Sequence, residues 1–332
     1  MHMNIDCRLS ALIRKIEKHY HRENLPGSKY LIIKRECENS GLGLFAYYVT
    51  MLAQIEYALR NGMIPVIDMK NYANTFHQNG EVGKVNTWEL FFEQPCGVTL
   101  EEALRSGKSR YVWEDIPAYH PNDSLDFLYH EKIVSYYHLV AKQYIRFQPH
   151  VLKVLQEKEK EILGESRLKK QRILGVLARG TDYTGLRPYY NPIQPDWKLL
   201  EETINQYCDR YHCEKIYLAT EDTDVLEHFI HLYGDRLLYT DQKRVNKVTT
   251  YLYENEEFIG RDPFERGVEY LTSIYILTKC NGLVAGRTTG TVGACIMADQ
   301  YEFRHIFSLG RYGIEDRMLL NKESGWLKTD EE

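Results

Sequence analysis

Three polar clusters in the chain carry the residue types of a ligand site. Each follows a short apolar run: Arg179-Gly-Thr-Asp182, Thr220-Glu-Asp-Thr-Asp224 and Gly286-Arg-Thr-Thr-Gly-Thr291. An arginine presents a planar fork to phosphate oxygens, and hydroxyls at a helix start hold the same kind of anion. On its own, the first cluster is equally consistent with an ordinary strand-to-loop exit that carries a surface salt bridge. The three clusters together predict a site for a diphosphate, with Arg179 as its fixed charge.

The elements that must position these clusters alternate regularly in the second half of the chain. Apolar runs at 173–178, 215–220, 236–240, 282–285 and 305–309 predict strands, and the first is of a kind that is buried on both faces. Helices are predicted at 197–211, where Asp196 is the cap, then after 224 to about 233, at 266–279 and at 292–298. Because this alternation favours a parallel, doubly wound sheet, the carboxyl ends of the strands lie along one edge. All three clusters are then neighbours.

The first half contains one clear βαβ unit. A strand at 30–33 leads through a glycine loop with Gly41 and Gly43 into a helix at 44–60, and a strand at 63–68 follows. Glycines at a helix start suit an anion or polar ligand, although helix–strand packing also asks for small residues there. Further helices are predicted at 8–23, 130–143 and 150–163.

The remaining part of the first half, 71–120, is less regular. Its Trp88, Phe91 and Phe92 are interpreted as a satellite core, with an acceptor pocket as the alternative. A polar stretch at 164–171 places the domain boundary, which divides the chain into 1–168 and 169–332.

Composition excludes several classes of protein. The 332 residues are 43% hydrophobic and 27% charged with a net charge of −5, which argues against a nucleic-acid partner. No apolar run approaches the roughly 18–20 residues that span a bilayer, and the first residues lack a signal-peptide core, so we expect a cytoplasmic protein. Seven cysteines without a CxxC pair indicate reduced thiols and no zinc site.

The pair Asp222 and Asp224 has two interpretations. Some glycosyltransferases hold a divalent metal and a nucleotide sugar through an Asp-x-Asp pair. Here the pair lies at a predicted helix start, where Asp224 with Glu227 fits a capping box and Asp222 complements the helix dipole. We favour the helix-start interpretation and predict no metal.

In order and spacing, the clusters resemble the fucosyltransferase superfamily of GT-B glycosyltransferases. Its first motif, His-x-Arg-x-x-Asp, reads Leu177-Ala-Arg-Gly-Thr-Asp182 here. The second resembles Ile216-Tyr-Leu-Ala-Thr-Glu-Asp222, and the third resembles Arg266-Gly-Val268 through Leu283 to Gly290. The resemblance covers essentially all of the C-terminal half and the N-terminal half loosely.

This resemblance implies two Rossmann-like α/β domains facing across a cleft, with the donor held mainly by the second domain. It implies that Arg179 neutralises the donor diphosphate. Asp182 joins Arg179 as a catalytic candidate because it is the carboxylate nearest to the site in the sequence. The other expected donor-binding residues are Gly41, Gly43, Glu221, Glu269, Ser273, Thr288, Thr289 and Gly290. The family mechanism needs no metal and no cofactor besides the nucleotide-sugar substrate, for which GDP-fucose is favoured.

The chain departs from the family pattern at three places. Leu177 replaces the motif histidine, Ser273 aligns near the acidic residue that reads guanine, and Arg187 falls near the carboxylate proposed as base in the α-1,6 enzymes. Asp182, Glu38 and Asp68 are the remaining candidates for the base.

The sequence is therefore expected to encode an inverting, metal-independent glycosyltransferase of bacterial surface polysaccharide or lipopolysaccharide assembly. Its partners would be a nucleotide sugar and a glycan or lipid-linked glycan, through which it contacts the inner membrane without an integral segment. The alternatives are a transferase of the same fold that uses another nucleotide sugar, and a non-catalytic nucleotide- or glycan-binding protein.

Overall fold

The structure, a computed structural model, describes residues 29–35, 42–112, 128–246 and 250–313. Within these ranges the strands are β1 Tyr30–Ile33, β2 Ile64–Ile67, β3 Ser109–Val112, β4 Ile173–Leu177, β5 Lys215–Ala219, β6 Leu237–Leu238, β7 Gly282–Ala285 and β8 Phe303–Ile306. The helices are α1 Leu44–Arg60, α2 Leu100–Arg105, α3 Glu131–Tyr144, α4 Pro149–Leu168, α5 Thr181–Gly185, α6 Trp197–Tyr211, α7 Thr223–Tyr233, α8 Glu256–Ile259, α9 Pro263–Leu277 and α10 Thr289–Met297.

The first sheet is three-stranded and parallel, in the order β2–β1–β3. Its central strand β1 is buried along its whole length, because α1 covers one face and the apolar side chains of α2 cover the other. Successive side chains of a strand point to opposite faces, so a strand covered on both sides must be apolar throughout.

The second sheet is five-stranded and parallel, in the order β6–β5–β4–β7–β8. Helices α6 and α7 pack on one face, and α9 and α10 pack on the other. The strand order therefore reverses between β4 and β7, and in open α/β sheets ligands bind in the crevice at the carboxyl ends of such a pair. Two of the three polar clusters follow these two strands.

One continuous hydrophobic core joins the two sheets. It contains residues of β1 and α1 together with residues of β4, α9 and α10. At its centre Phe45 of α1 lies against Gly293 of α10, where a Cβ atom on the glycine would overlap the phenyl ring. Gly267 of α9 is held as closely against Phe91. The halves are thus packed as tightly against each other as elements inside one domain, and the domain boundary at 168/169 stays a prediction.

Most predicted elements are confirmed, and the helix that Asp196 caps runs from 197 to 211 as expected. The predicted helix at 8–23 lies outside the described residues. The part of the stretch 71–120 that the structure describes, 71–112, is less regular, as predicted, and its α2 and β3 are too short to show a period in the sequence. Helices α9 and α10 begin three residues earlier than predicted, since Asp262 and Thr288 are their caps. The acceptor-pocket alternative is wrong: Trp88, Phe91 and Phe92 are at most 1% exposed.

Candidate functional site

Arg179 lies just beyond the carboxyl end of β4, at the point where the strand order reverses. Its Nη2 is 2.9 Å from Oδ1 of Asp182, and its Nη1 is 3.3 Å from Oε1 of Glu221. The guanidinium also lies 4.7 Å from the centre of the Tyr183 ring. The side chain is 15% exposed, so it is a fixed charge at the sheet edge, as the sequence predicts.

The charge of Arg179 is secure despite its burial. Desolvation lowers the pKa of the guanidinium, but Glu221 and then Asp182 more than offset that effect, and the pKa is raised. Its Nε–H is buried and donates to none of the described residues, so this donor of the guanidinium is unused. An anion that binds here shares the guanidinium with the two carboxylates.

A tight loop holds Arg179 in place. Gly180 approaches the Asp222 side chain so closely that a Cβ atom would overlap the carboxylate. The next residue, Thr181, has a φ of 48°, which a β-branched residue rarely adopts. Its amide donates to Asp222 Oδ2 at 2.8 Å, and its hydroxyl donates to Glu221 at 3.0 Å. Strain of this kind persists only where surrounding contacts enforce it, and it is concentrated at functional sites.

The loop after β7 provides the second half of the site. Thr288 caps α10: its Oγ1 accepts the amide of Thr291 at 3.1 Å and bonds the Thr291 hydroxyl at 3.0 Å. Thr289 and Gly290 form the first turn, where the N–H groups of a helix have no partner within it. The structure therefore places Thr289 and Gly290 at the predicted anion-binding position, while the hydroxyl of Thr288 is already used within the loop.

Tyr270 of α9 joins the two halves of the site. A Cβ atom on Gly290 would lie 2.6 Å from its hydroxyl oxygen, and its ring packs edge-on against Phe45 at 5.1 Å. Burial raises the pKa of the phenol, and Arg179 acts in the opposite direction. Among the described residues the hydroxyl makes no hydrogen bond. Tyr270 therefore presents a free donor close to Gly290 and Arg179.

The start of α1 approaches the same region from the first sheet. Gly43 is the N-cap of α1, is exposed, and has open space around its Cα atom. Because Phe45 touches both α10 and Tyr270, the N-terminal ends of α1 and α10 come together beside Tyr270. Gly41, the other predicted glycine, lies outside the described residues.

The two residues predicted to contact the nucleobase of the donor lie on α9 but have separate partners. Glu269 pairs with Arg261 at 2.6 Å and is half-buried. Ser273 is 2% exposed and donates to the side-chain oxygen of Gln242. The amide nitrogen of Gln242 in turn donates to the carbonyl of Thr220 at the end of β5. Ser273 is thus part of a buried network behind the sheet edge.

Several residues of this region were not predicted. Tyr270, Tyr183 and Gln242 carry no motif, and they reach the site only through the packing of α9 and of the loops after β4 and β6. Arg244 lies in the last of these loops, where it donates to the carbonyls of Thr240 and Gln242. A basic residue soon after the strand predicted at 236–240 was the only sequence signal for Arg244.

The three candidates for the catalytic base differ in their surroundings. Asp182 is tied to Arg179 and accepts from the hydroxyl of Thr181 at 3.2 Å. Asp68 is 0% exposed and accepts the amides of Lys70 and Asn71, each at 3.0 Å, so it closes a turn. Glu38 lies outside the described residues. The assignment of the base stays a prediction.

Asp222, not Asp224, caps α7. Its Oδ1 accepts the amide of Val225 at 3.1 Å, and its Oδ2 accepts that of Thr181. The predicted capping box of Asp224 and Glu227 is therefore wrong, because the N-cap lies two residues earlier, although both aspartates do lie at the helix start. In the described part of the chain no group of three or more His, Cys, Asp or Glu side chains is arranged to hold a metal ion. None of the described helices is long and apolar enough to cross a membrane.

No protein-family model and no curated protein sequence matches the chain. Solved structures do match. The NodZ α-1,6-fucosyltransferase soaked with GDP-fucose superposes with a TM-score of 0.52 at 14% identity, covering 86% of this chain and 98% of that one. The fucosyltransferase NodZ from Bradyrhizobium gives 0.47 at 15% identity, with 80% and 93% covered. A variant of Arabidopsis thaliana FUT1 in complex with GDP gives 0.48 at 10% identity, with 90% and 78% covered.

The first of these matches covers most of both chains. It confirms the α/β fold class with parallel sheets, and it confirms at the level of fold the resemblance that the three motifs indicated. The chain therefore has the fold of the NodZ α-1,6-fucosyltransferase.

Proposed function

We propose that the protein is a glycosyltransferase that takes its sugar from a nucleoside-diphosphate donor. The observation that carries this proposal is the position of Arg179 at the reversal point of the second sheet, beside the open first turn of α10. A guanidinium and the N-terminal amides of a helix are suited to a departing diphosphate, whose negative charge grows in the transition state. The NodZ structure with the same fold was soaked with GDP-fucose.

In this proposal the donor phosphates lie between Arg179 and the amides of Thr289 and Gly290. The Tyr270 hydroxyl, close to Gly290, donates a further hydrogen bond. Asp182 and Glu221 hold the guanidinium in a fixed orientation, so that little reorganisation is needed when the charge develops. Arg179 and Tyr270 thereby take the part that a divalent metal plays in other transferases, and we propose a metal-independent reaction without a further cofactor.

Fucose from GDP-fucose is the favoured sugar, and the acceptor is a glycan or lipid-linked glycan of a bacterial surface polysaccharide. A base takes the proton of an acceptor hydroxyl, and its oxygen forms a bond to the anomeric carbon. The bond from that carbon to the nucleoside diphosphate breaks on the opposite face, which inverts the anomeric centre. We place the reaction in the cytoplasm, with the inner membrane contacted only through the acceptor.

Recognition of the donor's nucleobase requires hydrogen-bond acceptors in the donor site. Guanine presents N1–H and N2–H₂ donors, and leaving them unpaired in a buried site costs several kcal/mol, on the order of 1–3 per group. Two arrangements offer acceptors for these donors. The first is the carboxylate of Glu269, and the second is the network of hydroxyl and amide groups of Ser273 and Gln242. Calorimetric titration of GDP, UDP, ADP and CDP into the native protein and into Glu269→Gln distinguishes the two arrangements. Selective GDP binding is lost in Glu269→Gln only if Glu269 is the acceptor. Exposed Glu265 on the same helix provides the matched control, Glu265→Gln.

The decisive experiment for the activity is donor turnover. Purified protein with GDP-fucose should release GDP, slowly by hydrolysis alone and faster when an acceptor is added. EDTA should leave the rate unchanged. Loss of turnover on chelation and its recovery with Mn²⁺ would replace the metal-independent mechanism, and nucleotide binding without any turnover would favour the non-catalytic alternative. Turnover of another nucleotide sugar in place of GDP-fucose would favour the transferase with a different donor.

A further inference from the structure

A cavity lies on the far side of the Arg179 loop, away from α9 and α10. It opens between the carboxyl end of β4, the segment leading into α6, and the start of α7, and its volume is about 760 Å³. That volume falls within the range of roughly 300–1,000 Å³ that holds small molecules in proteins. Arg179, Gly180 and Thr181 line it, so one loop forms a wall of both the cavity and the candidate donor site.

The cavity has one aromatic wall. Trp197, in the first turn of α6, lines it and is 44% exposed. Its indole is stacked on the imidazole of His228 with 4.5 Å between ring centres, and His228 is hydrogen-bonded to Glu201. The ring is therefore supported from one side and held rigid, while much of its surface remains free. A rigid, exposed aromatic face at the edge of a cavity is a surface for the apolar C–H face of a ligand.

The polar groups of the cavity argue against an anion. Asp196 and Asp222 line it, and each already accepts one backbone amide at the start of α6 or α7. The carboxylate of Asp224 is exposed and has no hydrogen bond or ion pair with any described residue. Arg187 likewise has no ion-pair partner among them, and the three carboxylates that line the cavity outnumber its two guanidinium groups, those of Arg179 and Arg187. Free groups of both signs beside an apolar ring suit a ligand with many hydroxyls and no charge.

The walls of the cavity are fixed before any ligand arrives. Gln194 donates to the carbonyls of Pro192 and Arg287, at 3.1 and 3.2 Å, and so ties the cavity wall to the loop after β7. Thr181 is held by Asp222 and Glu221 from the other side. A preformed site loses little conformational entropy on binding, so even a ligand with few contacts, such as a single sugar residue, can bind.

We propose that this cavity binds a neutral pyranose residue, with Trp197 as the stacking face and Asp224 as the hydrogen-bond acceptor for its hydroxyls. If the proposed function is correct, the sugar belongs to the acceptor, because the shared loop brings it next to the donor phosphates. Only that last assignment rests on the proposed function, since the binding itself needs no nucleotide.

The test is saturation-transfer NMR with methyl glycosides of glucose, galactose, mannose, N-acetylglucosamine and fucose. At least one should bind the native protein in the millimolar range. Trp197→Ala and Asp224→Ala should each weaken that binding about tenfold or more, and Trp197→Phe should retain most of it. Lys198→Ala is the matched control, because Lys198 is the neighbouring residue of α6 and does not line the cavity. Methyl glucuronide should bind more weakly than methyl glucoside.

Three results would overturn the proposal: no glycoside binds the native protein, binding is unchanged in both Trp197→Ala and Asp224→Ala, or the glucuronide binds best. Asp224 is exposed, so Asp224→Ala is expected to fold and tests the proposal even if Trp197→Ala does not fold. A parallel titration with GDP separates the two proposals. GDP binding without glycoside binding removes only the sugar cavity, and glycoside binding without GDP binding removes only the proposed donor site.

Discussion

At the scale of single residues, the candidate site is built from charges that are already compensated. Arg179 meets two carboxylates before any donor arrives, and each of the three side chains is at most 17% exposed. Removing one partner of such a buried set leaves an uncompensated charge, which is far more costly than losing an exposed pair. For variants of Asp182 or Glu221, the free energy of unfolding must therefore be measured together with turnover.

His305 of β8 supplies a prediction on pH. Burial lowers the pKa of its imidazole, and its Nδ1 lies 3.3 Å from the Tyr207 hydroxyl. The unfolded chain takes up the proton near pH 6.5, whereas the folded one takes it up only at lower pH. This contribution to stability is therefore present above about pH 6.5 and is lost progressively as the pH falls from there through the lower pKa of the folded state.

The measurement is the urea midpoint of unfolding at pH 7.5 and 5.5. The fall between these pH values should be smaller in His305→Gln than in the native protein, while exposed His231→Gln serves as the control. An equal fall in both variants would contradict the assignment.

At the scale of elements, the starts of helices decide how the sheet edge is shaped. Asp222 holds both α7 and the strained Thr181, because its two oxygens accept one amide from each. Asp222→Asn keeps one acceptor and loses the other, which should lower the free energy of unfolding by about 1–2 kcal/mol. Asp224→Asn, two residues later, should change it by less than about 0.5 kcal/mol.

Denaturant unfolding and donor hydrolysis, measured on the same variants, separate structure from chemistry. Under the proposed metal-independent reaction, Asp222→Asn loses stability while the folded protein retains most of its turnover. Normal stability with abolished turnover would instead make Asp222 part of the reaction.

The limits of the sequence are also clearest at this scale. The buried strands and the long helices were predictable because their apolar residues repeat over many positions. The starts of α9 and α10 were missed, since a single cap at Asp262 or Thr288 outweighed the apolar pattern that began later. Arg179 could be placed from its strand, but its pairing with Glu221 depends on the register of β4 with β5. Tyr270 could not be placed at all, because it reaches the site through the packing of α9 on α1.

At the scale of the whole molecule, the two sheets depend on each other. The contact between Gly293 and Phe45 lies in the core that both share, so a larger residue at 293 must push α10 away from α1. Gly293→Val should lower the free energy of unfolding by about 1–3 kcal/mol through overpacking. Hydrogen exchange should show weaker protection of β1 and β4 together.

Gly164→Ala in α4 is the control for this change. A Cβ atom there would meet only the Lys160 side chain at 3.7 Å, so the variant should be neutral or more stable by up to about 1 kcal/mol. Loss of protection confined to β1 would show that the sheets unfold separately and would contradict the shared core.

The central claim is that Arg179 holds a nucleoside diphosphate, and calorimetric titration with GDP tests it most directly. Arg172 provides the matched control, because it lies at the opposite end of β4 and pairs with Glu302. The native protein and Arg172→Ala should bind GDP equally well. Arg179→Ala loses two charge-assisted hydrogen bonds, about 3–5 kcal/mol, or about two to three and a half decades in affinity. Arg179→Lys should recover little, since an ammonium has no planar fork. Failure of GDP, UDP, ADP and CDP to bind the native protein, or undiminished binding by folded Arg179→Ala, would contradict the account.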